Sequence, residues 1–89
     1  DLSYTARYYP MLGMCFVRIY GVVSKAMSQG ADYDLLNIGS RTPAYNTALA
    51  VKCGKKIHAL AKSNGVIVLR PHDDGINGYD IYIAGFWFA

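Results

Sequence analysis

Residues 12–23 alternate along the chain. Cys15, Val17, Ile19 and Val23 fall to one side, and Met14, Phe16, Arg18, Tyr20 and Val22 fall to the other. A two-residue period in a stretch rich in β-branched and aromatic side chains predicts a strand with one aliphatic face. Residues 66–70, Val-Ile-Val-Leu-Arg, read as a second, buried strand. Residues 79–88 predict a third, with Tyr79, Ile81 and Ile83 on one face and Asp80, Tyr82 and Ala84 on the other. Residues 71–78 are polar, carry Asp74-Gly75 and Asn77-Gly78, and read as the turn joining the last two strands.

The spacing changes across residues 43–63. Leu49, Cys53, Ile57, Leu60 and Ala61 recur at i, i+4 and i+8, which predicts the core stripe of a helix. Thr42 can cap its free N–H groups, and Pro43 suits its first position. Lys52, Lys55, Lys56 and Lys62 gather on the opposite side, with Lys62 near the negative end of the helix dipole. Gly54 weakens the middle by about 1 kcal/mol relative to alanine. Asn64-Gly65 supplies the left-handed residue that stops the helix.

Residues 1–10 read as an extended arm or an edge strand. Residues 24–41 are the least patterned, and residues 32–38 fit a short helix or a short strand. The resulting order is strand, short element, helix, strand, strand. It predicts one α+β domain over residues 1–89, a two-layer α/β sandwich with one long helix on a small antiparallel sheet. If residues 32–38 are helical, a ferredoxin-like split βαβ arrangement follows.

The length of 89 residues makes the core thin, so a covalent staple would matter. Cys15 lies on the aliphatic face of the first strand and Cys53 at the centre of the helical stripe, so a helix packed on that strand would turn both inward. A disulfide closing a loop of about 38 residues would contribute roughly 4 kcal/mol in the chain-entropy picture. The alternative is two reduced, buried thiols acting as small hydrophobes. His58 and His72 match no zinc spacing with these cysteines, and no metal or cofactor is expected. A catalytic Cys53–His58 pair is disfavoured, since five residues on a helix set them about 140° apart.

The composition is 53% hydrophobic and 17% charged, which excludes a disordered chain. There are eight tyrosines, and the net charge is +3. The charge favours anionic surfaces without the dense Lys/Arg clustering of dedicated nucleic-acid binders. No phosphate loop, serine-nucleophile elbow or metalloprotease motif occurs, so a non-enzymatic role is expected. No apolar run reaches the roughly 18 residues of a membrane span. The chain opens on Asp1 rather than Met, as a processed mature chain or a trimmed one would.

Three features are candidate contacts. The first is the lysine face of Lys52, Lys55, Lys56 and Lys62. The second is the loop Arg70-Pro71-His72-Asp73-Asp74, where His72 beside two carboxylates could respond to pH. The third is the aromatic tail Phe86-Trp87-Phe88, an interface with a partner chain, a second copy or a membrane surface if exposed, and core and rim if the last strand continues through it. A small RNA-binding domain, with strand tyrosines stacking bases and lysines meeting phosphates, is a further alternative.

The layout of residues 43–85 resembles that of the small secreted killer toxins and killer-toxin-like effectors of fungi. The resemblance rests on Cys53 within a helix, the Ser63-Asn64-Gly65 turn, the strand over residues 66–69, and the return strand Gly78-Tyr79-Asp80-Ile81-Tyr82-Ile83. It implies a secreted, extracellular protein with an α/β-sandwich fold that inhibits target cells at their membrane or a membrane channel. Lys52, Lys55, Lys56 and Arg70 would be the contacts.

Overall fold

The computed structural model describes residues 2–89, and all regular structure among them is β. The strands are β1 Leu2–Tyr9, β2 Met14–Val22, β3 Tyr33–Asn37, β4 Thr47–Cys53, β5 Ile57–Ala61, β6 Val66–Pro71 and β7 Asp80–Phe88. They form one seven-stranded antiparallel sheet in the order β1-β2-β7-β4-β5-β6-β3. The sheet curls into a half-barrel about β4. Thr47 to Leu49 pair with β5 on one side, and Ala50 to Cys53 pair with β7 on the other. The core joins both halves, packing Val17, Ile19, Ile81 and Ile83 with Ile57, Ile67 and Leu69.

The expected α+β sandwich is therefore replaced by an all-β fold, and the predicted helix over residues 43–63 is the hairpin β4–β5. Leu49, Cys53, Ile57 and Ala61 are four apart, and four is a multiple of the strand period as well as about one helical turn. The residues between them break the tie. Val51 is half-buried and Ala59 is buried, so every odd position from 47 to 53 and from 57 to 61 turns inward. Gly54, at the centre of the supposed helix, sits in the turn. A Cβ there would approach the Tyr79 ring to 3.1 Å, so the ring packs close over the hairpin at this glycine and a larger residue would push it back by a few tenths of an ångström.

The strands expected near residues 12–23, 66–70 and 79–88 are β2, β6 and β7. Residues 32–38 resolve as the edge strand β3, which removes the helix that a split βαβ arrangement needed. The opposite edge is β1, paired along its whole length with β2.

The two cysteines are free, and the sheet register explains why the expected disulfide is absent. Cys15 pairs with Trp87 on β7, whereas Cys53 pairs with Ile81 on the other side of the same strand. Six residues along a strand span about 20 Å, well beyond the roughly 7 Å limit for bridged Cα atoms. Burial raises the pKa of the Cys15 thiol, an effect partly offset by the charge of Arg41. Intact mass should thus be unchanged by reduction. A thiol reagent should label half-buried Cys53 readily and buried Cys15 only on unfolding. A mass gain of two hydrogens on reduction would contradict this register.

Candidate functional site

The alternation that buries one face of β2 and β7 sends the opposite residues outward, β1 adds its own residues beside them, and the register stacks them in rows. Tyr9, Met14 and Phe88 lie side by side, then Arg7, Phe16 and Phe86, then Thr5, Arg18 and Ala84 with Ala50 of β4. Ser3, Tyr20, Tyr82 and Lys52 follow. The aromatic rings touch. Tyr9 and Phe16 meet edge to face with centroids 5.4 Å apart, and Phe16 and Phe86 lie 5.6 Å apart at a tilt of 32°. They stay open to solvent, with Phe16 38%, Phe86 49% and Phe88 68% exposed.

Beside this aromatic ridge is a hollow. Ala50, Ala84 and Gly85 carry little or no side chain, and they floor an open cleft of about 800 Å³ walled by Phe16, Phe86, Arg7 and Arg18. Gly85 is fixed by the opposite face, because a Cβ there would collide with Leu49. No carboxylate lines the cleft. The charged side chains in these rows are Arg7, Arg18 and Lys52, with Asp80 at the far end opposite Val22. Arg18 leans toward the Tyr20 ring, its Cζ 5.6 Å from the centroid.

The aromatic tail divides between the two faces. Phe86 and Phe88 project outward, while Trp87 turns inward, is 4% exposed and donates its indole N–H to the carbonyl of Arg41 at 2.6 Å. Arg41 is the one non-glycine residue with positive φ among those described, at 55°. Its guanidinium stacks over Tyr8 with Cζ 3.9 Å from the ring centroid. These two contacts strap residue 41 across the inner side of the sheet beside Tyr8 and Trp87.

The predicted basic residues do not form one face. Lys52 lies outward beside Tyr82. Lys55 sits in the β4–β5 turn with Nζ 5.6 Å from the Tyr79 centroid, and the Lys56 backbone N–H donates to Asp73 Oδ2 at 2.8 Å. Lys62 lies beyond the opposite end of β5, where its N–H donates to the Val66 carbonyl. Five strand positions from Ile57 place it about 17 Å away. Arg70 grips Asp32, donating from Nε to Oδ1 at 2.6 Å and from Nη2 to Oδ2 at 3.0 Å. That hydrogen bonding holds the Asp32 carboxyl below its ordinary value and raises the guanidinium of Arg70. A depressed carboxylate adds stability that is present above its unfolded pKa and is lost as pH falls through the folded one. Both side chains are more than half exposed, so solvent keeps the contribution small. His72 leaves this group and meets His58.

The sequence reading missed Arg7, Tyr9, Phe16 and Arg18 as candidates. Their signal was the polar and aromatic side of the alternation in β2, continued by the alternating half of β1. Among the described residues no group of three or more His, Cys, Asp or Glu gathers into a metal cluster. With this geometry in hand, the chain matches no protein-family model, no curated protein and no solved structure, so its outward face is read from its own chemistry.

Proposed function

We propose that this chain is a non-enzymatic interaction module of a larger assembly, and that it docks through the outward face of β1, β2 and β7 onto a second copy of itself. The contiguous, solvent-open ridge of Tyr9, Phe16, Phe86 and Phe88 carries this reading. Exposed apolar patches of this kind are uncommon on monomers. Aromatic residues, Met and Arg on a patch with few acids or lysines are the composition of interface cores. The same face holds both a ridge and an alanine- and glycine-floored hollow. Two copies related by a two-fold axis can therefore set ridge into hollow, as a self-complementary contact requires.

The killer-toxin-like reading drew its support from the layout with a cysteine-bearing helix, a possible disulfide, the small size, the positive charge and a chain that opens without Met. With a hairpin in place of the helix, free thiols and scattered lysines, the interaction module has the stronger support. A second reading has one observation behind it: Arg7 directly beside Phe16, above a cleft free of carboxylates, is also how single-stranded nucleic acid is stacked and neutralised.

Sedimentation velocity over a concentration series separates the two. The natural chain should dimerise reversibly. Phe86→Ser should weaken the dimer at least about 30-fold, as loss of a central aromatic anchor does, while keeping the sheet's circular dichroism. A strictly monomeric chain that binds oligouridylate at low salt would move the assignment to nucleic acid. A monomer that binds neither would remove both.

A further inference from the structure

We propose that His58 and His72 form a two-nitrogen chelating site for a divalent transition metal of tetragonal preference, Cu²⁺ first and Ni²⁺ second. His58 projects from β5, and His72 follows the last residue of β6, the neighbouring strand. The turn is pinned on both sides. The His72 N–H donates to the Lys56 carbonyl at 2.9 Å, and the Lys56 N–H donates to Asp73 Oδ2 at 2.8 Å. His72 Nε2 thereby lies 3.0 Å from His58 Nδ1, with the ring centroids 4.1 Å apart and the planes at 56°.

The contact is a hydrogen bond when one of the two facing nitrogens carries a proton. With both protons on the outer nitrogens, the same two atoms present lone pairs across a 3.0 Å gap, with the ring centroids standing farther apart than the nitrogens. Two nitrogens each about 2.0–2.1 Å from a metal are roughly 2.9 Å apart at a right angle and about 3.3 Å apart at a tetrahedral one. The 3.0 Å separation matches the right-angled bite. Imidazole nitrogens in a tetragonal arrangement suit Cu²⁺ and Ni²⁺, and the divalent affinity order puts Cu²⁺ highest.

No covalent change is needed. Each neutral ring keeps its one proton on the outer nitrogen, Nδ1 of His72 and Nε2 of His58, and offers the inner lone pair to the metal. Water would fill the remaining positions, because His58 is exposed and His72 half-buried. Arg70 faces His58 across the strand pair and Lys56 adjoins the turn, while Asp73 and Asp74 follow His72. The local charge is therefore close to balanced rather than repellent. A bound metal would clip the 72–79 segment onto β5. The site is independent of the outward aromatic face, so either proposal can fail without the other.

The test uses the full chain with CuCl₂ and NiCl₂, and with MgCl₂ as the hard-cation control. Metal that binds the folded state raises its unfolding midpoint. Ni²⁺ at millimolar concentration should raise the midpoint by several degrees where Mg²⁺ does not. One equivalent of Cu²⁺ should give an electron paramagnetic resonance spectrum with nitrogen hyperfine structure. His58→Gln and His72→Gln should each abolish the Ni²⁺ shift and reduce the two-nitrogen hyperfine pattern to that of one imidazole. Both replaced side chains reach solvent, so the variants should stay folded, and circular dichroism without metal checks this. Retention of the midpoint shift or of two-nitrogen coupling in either single variant would overturn the site. So would absence of both effects in the natural chain.

Discussion

Ile83→Ala is expected to cost about 3–4 kcal/mol and to lower the unfolding midpoint by roughly 15–25 °C. Ile83 is fully buried, and in the register it stands between Ile19 of β2 and Val51 of β4, a row of β-branched side chains across three strands. Truncation there removes transfer energy and leaves a cavity that two rigid neighbouring strands cannot collapse into. The whole stability of a chain this size is on the order of 5–10 kcal/mol, so the variant would sit near the edge of folding. Tyr82→Ala, one residue away on the outward face, should cost under about 1 kcal/mol. Urea titrations of the two variants make the comparison. Equal losses would mean that β7 does not divide an inner from an outer side, and the aromatic face would lose its structural basis.

That division was legible in the sequence wherever a segment carried only one period. In β2, Cys15, Val17 and Ile19 are separated by Phe16 and Arg18, a spacing no helix can put on one face. β6 and β7 were readable for similar reasons, the first as a continuous apolar run and the second as an alternation ending in three aromatics. Residues 47–61 were not, because apolar residues four apart satisfy both periods and the alanines between them favour a helix. What decides there is non-local. β7 inserts between β2 and β4 and offers Ala50 to Cys53 a partner that arrives some thirty residues later, a pairing no local window contains.

The same ambiguity decided the candidate site. On a helix, Lys52, Lys55, Lys56 and Lys62 share an arc, so they looked like a surface. On a hairpin, Lys52 and Lys62 belong to opposite ends, with the turn lysines between them in sequence. The outward aromatics needed three strands in register before they became neighbours. Phe16 and Phe86 are seventy residues apart in sequence and touch only because β2 pairs with β7. His58 and His72 likewise share no spacing rule, and the β5–β6 pairing alone brings them together.

Gly65 ties the sequence reading to the second large effect. The sequence marks it as a left-handed residue, and it is one, with φ at +92°. It closes the β5–β6 hairpin rather than a helix. Its N–H donates to the Lys62 carbonyl at 2.9 Å, and its own carbonyl accepts from Ile38 at 3.0 Å. A Cβ at this position would lie 2.9 Å from Asn37 Oδ1 and 3.0 Å from Thr42 Cγ2. Asn37 cannot easily yield, because the same Oδ1 accepts the Gly39 N–H at 2.8 Å. Gly65→Ala therefore meets two penalties, a backbone conformation that alanine adopts at about 1–2 kcal/mol and the displacement of a polar anchor worth roughly 1 kcal/mol more. The expected loss is about 2–3 kcal/mol. Gly30→Ala supplies the control, since Gly30 has φ of +80° and nothing within 4 Å of the added carbon. It should show the conformational cost alone. If residue 65 merely stopped a helix, the two alanine variants would be equally destabilised. If it seats β3 and the 38–42 segment against the hairpin, urea midpoints should separate them, with faster amide exchange at Ile38 and Gly39 in Gly65→Ala only.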